Sequence, residues 1–519
     1  MKKLILSILL ALIATAAWAK RPNVVVIMTD DMRRAHFGFI EGKALTPHMD
    51  RLAKEGVYLS RAYATTSVCT PSRFTLLTGR YASRCTTLKP KGEEKVFDVQ
   101  WNTPLTQEIH TLPKIMREAG YKTGIVGKWH NGHPNNWHGM VQNFDKDDDP
   151  ADPAVAAKLE KLEALGKAYF DEQGFDYAEN FVFGNLGSHF LRKLRFHNQE
   201  WFTKGAIDFI SENTEEPFFL FLPTTLMHFP NPADSAEADP RATALGYLDE
   251  PITVQPPRTG AFQRGLAAGH GRIESAASWL DDGIGAIIQH LEKLGLAENT
   301  LVIFFNDHGA DKGKGSCYES GVRTPSMVYW PGRIRPGQSD ALVQNTDFVP
   351  TIFEACGIPM PEDMVCDGKS LWPILDGKQE KVRDYAVCEI GFTRAVITRD
   401  WKYLAFRIPP SATPTREERV AMALKVQKWH LEHEDRHVPA TPDAPLSHLG
   451  FPGGVSTEQP VLNRYKKTYY DPDQLYRLTP AAREDKNLAG KPEYGGQLDK
   501  MKSLMSKAVE ELPGNFGEF

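Results

Sequence analysis

The chain has 519 residues, 41% of them apolar and 10% aromatic, which is ample for a large core and unlike a disordered protein. Sixty-one Lys and Arg against 66 Asp and Glu give a formal charge of −5. That balance excludes the basic excess of a general nucleic-acid binder and leaves open small anions bound by local charge.

Residues 1–19 read as a secretory signal, with Lys2 and Lys3, an apolar stretch from Leu4 to Ile13, and Ala17-Trp18-Ala19 ahead of Lys20. The stretch is short for a membrane span and Thr15 interrupts it. No cysteine follows the cleavage point, and no later segment reads as transmembrane. The expectation is an exported protein without a membrane anchor, in the periplasm or outside the cell.

From residue 20 to about 380, apolar runs alternate with helical stretches. Runs at 24–28, 124–126, 218–222 and 301–305 suit strands covered on both faces, as in a parallel sheet. Residues 46–56, 112–120 and 283–294 have helical spacing. Residues 145–169 read as an acidic loop followed by a surface helix, together an insertion, and 230–257 as a long loop beside the site. Beyond 380 the texture changes. Residues 394–398 and 401–405 read as a hairpin turning at Arg399-Asp400, 474–478 as another strand, and 494–512 as a closing helix. Between them, 409–460 is a long insertion with a charged helix near 416–433. The fold class expected is α/β, a large doubly wound mixed sheet sandwiched by helices (20–380), with a smaller C-terminal α+β subdomain carrying an antiparallel sheet (381–519). Six cysteines do not make a disulfide scaffold. Cys356 and Cys366 are the expected pair, and Cys317 could be a buried free thiol.

A polar cluster follows each apolar run, where ligand sites of open α/β sheets lie. These clusters are Asp30-Asp31, Lys128 with His130, His228, and Asp307-His308. Asp30, Asp31 and Asp307 would repel one another unless a cation sat between them, and hard oxygen ligands favour Ca²⁺ or Mg²⁺, with Zn²⁺ open on ligand softness. The bland alternative for Asp30-Asp31 is a helix cap. Lys128 and Lys314 supply fixed positive charge, and His130 and His228 can move protons near neutral pH. Cys69-Thr70-Pro71-Ser72-Arg73 places a thiol four residues before a cation; its bland alternative is a buried structural cysteine.

The run C-x-P-S-R at Cys69–Arg73 resembles the signature of the sulfatase family. Gly127-Lys128-Trp129-His130, the stretch from Gly313-Lys314-Gly315 to Thr324-Pro325, and Asn487-Leu488 are similar to further motifs of that family. The resemblance implies an alkaline-phosphatase-like fold and conversion of Cys69 to Cα-formylglycine (3-oxoalanine), whose hydrated aldehyde is the nucleophile. It implies Ca²⁺ held by Asp30, Asp31, Asp307 and His308 together with the modified Cys69; many members carry asparagine at the His308 position. By the same resemblance Arg73 and Lys128 steady the hydrated aldehyde, His130 removes the proton that expels sulfate, and His228 and Lys314 assist the leaving oxygen. The implied partners are a sulfated carbohydrate and a formylglycine-generating, sulfatase-maturating enzyme.

Three rivals remain: a phosphonate or phosphate monoester hydrolase, a catalytically silent sugar-binding member, and a disulfide oxidoreductase, which would need a second nearby cysteine. Other candidates divide between substrate contact and structure. His133, Trp137 and His138 could line a sugar-binding mouth or be exposed loop residues. Arg323 and Arg394 could grip a carboxylate or second sulfate, or form salt bridges. His36 could reach substrate.

Overall fold

Runs of five or more apolar residues bury both faces of a strand, so helices must cover the sheet on both sides. The computed structural model describes residues 21–432, 446–450, 466–478, 484–517 and 519. The expected leader, and much of the 409–460 insertion, lie outside them. Eight strands form the main sheet: β1 (Asn23–Thr29), β2 (Val57–Leu59), β3 (Lys122–Lys128), β4 (Tyr177–Val182), β5 (Phe218–Pro223), β6 (Thr300–Asn306), β7 (Ser326–Tyr329) and β8 (Gly337–Ser339). Their order is β8-β2-β7-β6-β1-β5-β3-β4. The block β6-β1-β5-β3-β4 is parallel, and β7 runs antiparallel to both its neighbours. The C-terminal ends of β1, β3, β5 and β6 therefore share one edge.

Alternate residues of each strand feed two cores. Val24, Val26, Phe219, Phe221, Ile303 and Phe305 face one layer, and Val25, Ile27, Leu220, Leu222, Val302 and Phe304 the other. Helices α1 (Pro47–Glu55), α5 (Gln199–Glu212) and α6 (Arg272–Lys293) cover the second layer. Helices α2 (Cys69–Thr78), α3 (Leu112–Glu118) and α7 (Phe348–Cys356) cover the first. Helix α4 (Pro153–Glu172) starts where the surface helix was expected but is not simply superficial. Its Val155, Leu159, Leu162 and Phe170 are buried, and Phe170 joins the first core.

A four-stranded antiparallel sheet follows, β9 (Ala386–Ile390), β10 (Thr393–Ile397), β11 (Trp401–Phe406) and β12 (Asp473–Arg477), in that order. The hairpin turns at Arg399-Asp400 as expected, whereas β9 carried no signal in the reading above. Helix α8 (Gly495–Glu510) packs on this sheet through Met501 and Met505. The expected Cys356–Cys366 disulfide does not form, and all six cysteines are free. Cys356 ends α7 beside the Tyr121 hydroxyl, while Cys366 packs against Gly79, so the two thiols point into different neighbourhoods. No helix among the described residues is long and apolar enough to cross a membrane.

Candidate active site

Helix α2 opens on Cys69 after extended Val68, and Gly79 closes it in the left-handed region at φ 68°. Pro71 lies in the first helical turn, where a missing N–H costs nothing, rather than in a free turn. Arg73 is one helical turn beyond Cys69, so both side chains leave the same face. Lys128 ends β3. The preceding Gly127 has φ 119°, and a Cβ there would stand 1.9 Å from the Pro223 carbonyl oxygen. Only glycine lets β3 approach β5 so closely at the edge where Lys128 emerges.

These elements converge. Asp30 is fully buried; it accepts from the Lys128 ammonium, from Arg73 Nη2 at 3.2 Å and from the Cys69 thiol at 3.5 Å. Asp31, at φ 55°, accepts from Lys314 Nζ at 2.7 and 2.6 Å. His228 Nε2 lies 3.6 Å from Asp31, and His308 Nε2 lies 3.2 Å from Asp31, 3.6 Å from Asp307 and 3.5 Å from Cys69 Sγ. Arg73 Nη1 donates to the Lys128 carbonyl at 2.6 Å, and Nη2 is 3.8 Å from Asp307. Thus Asp30, Asp31, Cys69, Arg73, Lys128, His228, Asp307, His308 and Lys314 meet at one point. His130 stands beside them at φ 60°, its Nδ1 buried without a hydrogen-bond partner.

Burial would raise the Asp30 pKa, but Lys128, His228 and Arg73 outweigh it and hold the group well below the carboxylate range. Asp31 is likewise lowered, by Lys314 and His228 against burial. Asp307 goes the other way: burial, then the Asp30 charge, raise it to about 6. Burial, then Asp30, push the Cys69 thiol well above its usual value, so an unmodified Cys69 is a poor thiolate nucleophile. Burial, then Lys128 and Arg73, push His130 well below the usual histidine value. Burial, then Lys128, bring His228 down to about 3.

The donor set fits a divalent cation. His308 Nδ1 faces the Gly309 carbonyl at 3.0 Å, so Nδ1 carries the proton and Nε2 turns its lone pair toward the carboxylates. Asp307 Oδ2 is buried without a hydrogen-bond partner. A nitrogen lone pair, an orphaned carboxylate oxygen and a further carboxylate within 4 Å make a donor set that suits a cation. Asp30, Asp31, Asp307, His308 and residue 69 would hold it.

Sequence reasoning missed the scaffold. Asn306 donates to the Met32 carbonyl at 3.1 Å and to that of His308, and its Oδ1 accepts from Met32 N and Thr29 Oγ1. Asn345 donates to Ser72 O and Oγ at 3.1 Å, steadying the first turn of α2. Buried His197 accepts from Thr225 Oγ1 at 2.8 Å and donates to the His228 and Pro230 carbonyls at 2.9 and 3.0 Å, fixing the loop that carries His228. Asn306 adjoins Asp307 and was within reach of a motif reading; Asn345 and His197 lay in no motif.

The weaker candidates separate from the cluster. Arg323 donates to Ser60 O at 2.9 and 2.7 Å, and Arg394 pairs with buried Glu389 at 3.3 Å, so both have structural partners. His36 is buried, its Nδ1 accepting from Arg33 N. His133 and His138 are exposed with ring centroids 4.2 Å apart, and Trp137 is half-buried against Phe183. A separate cavity of about 260 Å³, lined by His48, Gln255, Asp282 and His290 among others, contains none of the clustered residues. The convergent polar groups mark the site, not that cavity.

The family model described as Sulfatase matches residues 22–358. An N-acetylgalactosamine-6-O-sulfatase of Bacteroides thetaiotaomicron is 28% identical over 482 residues, covering 78% of this chain and 86% of that protein. A structure solved with its substrate D-glucosamine-2-N,6-O-disulfate superposes with a TM-score of 0.59 at 18% identity, covering 95% of this chain and 98% of that one. A phosphonate monoester hydrolase from Silicibacter pomeroyi superposes with a TM-score of 0.58 at 18% identity, covering 95% and 96%. At these identities the structural likeness concerns the fold.

Proposed function

This chain belongs to the sulfatase family, and from that premise we propose that it hydrolyses a sulfate monoester of a carbohydrate, releasing inorganic sulfate. One observation carries the reading: Cys69, three cationic side chains and three carboxylates meet at the C-terminal edge of the sheet. The carbohydrate class is drawn from the relatives, one named for N-acetylgalactosamine and one solved with a glucosamine disulfate.

Formylglycine at position 69 supplies a hydrated aldehyde oxygen as nucleophile where the buried thiol is unsuited. Asp30, Asp31, Asp307, His308 and residue 69 would hold Ca²⁺, which would supply positive charge at the site. Lys128 and Arg73 add fixed charge around residue 69 and keep Asp30 ionised. His130, kept neutral by burial and the Lys128 and Arg73 charges, is the proton acceptor for residue 69 in this reading. Lys314 keeps its ammonium, because the Asp31 charge raises its pKa against burial, and donates at the leaving oxygen. His228 Nδ1 faces Phe229 O at 3.1 Å and Nε2 stands 3.6 Å from Asp31. Burial, then Lys128, keep the ring neutral, and in this reading it contacts the ester oxygen and assists its departure. We further propose, from residues 1–19, that the protein is exported, and that a formylglycine-generating enzyme matures it.

The phosphonate hydrolase shares the fold and favours a second reading, phosphonate or phosphate monoester hydrolysis. Turnover of sulfate, phosphate and phosphonate esters of one common alcohol decides between them. The sulfate ester should be fastest; a faster phosphonate or phosphate ester would hand the site to the second reading.

A further inference from the structure

The segment carrying Lys314 is held from outside residues 22–358, the stretch that the family model matches. Tyr318 Oη donates to Gln474 Oε1 on β12 at 2.8 Å. Glu319 N donates to Glu484 Oε2 at 2.8 Å. Lys402, on β11 and fully buried, donates to Glu319 Oε1 at 3.2 Å and ion-pairs with Glu484 Oε1 at 3.0 Å. Lys466 Nζ donates to the Glu484 carbonyl at 3.1 Å and stands 3.8 Å from the Tyr318 ring centroid. Glu484 itself adopts φ 51°, a conformation that a non-glycine residue keeps only where its surroundings enforce it. At its other end the same segment reaches the site: Gly315 N donates to Ser67 O at 3.0 Å, two residues before Cys69, and Lys314 lands on Asp31.

Burying a lysine between two carboxylates is a poor way to gain stability, since apolar groups of similar volume would serve as well or better. An ionic, hydrogen-bonded cluster instead admits one register, and a register error here would move Lys314. A lysine on a flexible four-carbon stem aims only as well as its backbone is held, and a misplacement of about 1 Å can cost on the order of 10²-fold in rate.

We propose that Lys402 and Glu484 are positioning residues, which hold the 313–319 segment from the C-terminal sheet so that the Lys314 ammonium stands at the leaving oxygen. This rests on the reading of Lys314 given above. The test uses a series of aryl sulfates with rising leaving-group pKa, assayed with the matured full-length enzyme. Lys402→Met strands two buried carboxylates and threatens the fold, so Glu484→Gln carries the test. It removes the charge but keeps an acceptor for Glu319 N. Thermal unfolding checks that each variant is folded at the assay temperature.

Lys314→Ala should lower kcat/KM on the order of 10²-fold more for the poorest leaving group than for the best, the scale of general-acid assistance. Glu484→Gln should show the same bias on the order of tenfold, and add none in a Lys314→Ala background. A uniform loss across the series for Glu484→Gln, or an undiminished bias without Lys314, overturns the inference alone. A Lys314→Ala enzyme with no bias overturns the reading of Lys314 and the inference with it.

Discussion

Two clusters of buried charge sit at opposite ends of residues 307–319, and they differ in what they leave open. Where Lys402, Glu319 and Glu484 meet, each charged group has an opposite charge within 3.2 Å, and the Glu484 carboxylate also accepts from a backbone N–H. Where Asp30, Asp31 and Asp307 meet, Asp307 Oδ2 and His130 Nδ1 have no hydrogen-bond partner, and His308 aims its Nε2 at carboxylates. Buried charge alone therefore does not mark the reacting centre of this molecule, and neither does an unbonded oxygen, since Glu484 Oε1 and Asp307 Oδ2 both lack a hydrogen-bond partner; three carboxylates converging with an imidazole nitrogen on one point do. On the function proposed, the closed cluster fixes geometry and the open one holds a cation and an anionic substrate.

The difference can be broken by substitution. Cys69→Ala removes the group around which the open cluster is arranged and should cost on the order of 10⁴-fold or more in turnover of sulfate esters. Near-normal activity in that variant would sink the mechanism. Chelation, or Asp307→Asn, should lower activity on the order of 10²–10³-fold, matching the several kcal/mol that a bound cation supplies. Ca²⁺ should restore the chelated enzyme and raise its Tm, because only the folded chain gathers these carboxylates. A Tm indifferent to Ca²⁺ would argue that the open cluster is closed by its own lysines.

The smallest effect lies in pH. Burial lowers His197, beside the site loop, and His448, beside the C-terminal sheet, to about 4 from an ordinary 6.5. Their folded pKa values are depressed, so below 6.5 the unfolded chain binds protons that the folded one refuses. Each group contributes its full stability above about pH 6.5 and loses about 1.4 kcal/mol per pH unit between 6.5 and 4. Denaturant unfolding from pH 7 to 4 should show this slope, reduced in His197→Asn; an unchanged slope in that variant would assign the pH dependence elsewhere.

The open cluster was legible in the sequence because its residues stand at or just past the ends of apolar runs: Asp30 after β1, Lys128 at the end of β3, Asp307 after β6. Strand order then gathers them without any further signal. The parallel core was legible for the same reason. The closed cluster was not, since Lys402 lies 83 residues from Glu319 and Glu484 165 residues from it, with no periodicity linking them. The failed Cys356–Cys366 pairing has the same cause: short separation in sequence says nothing about which way α7 and the following loop turn their thiols. Strand β9, at the junction between the two sheets, also escaped notice.

The account turns on what occupies position 69. Mass spectrometry of the peptide containing residue 69, taken from protein that turns over a sulfate ester, tests it most directly. The account predicts that the thiol is gone and an aldehyde stands in its place, in a fraction that tracks specific activity. Fully active protein with an intact Cys69 thiol would contradict it.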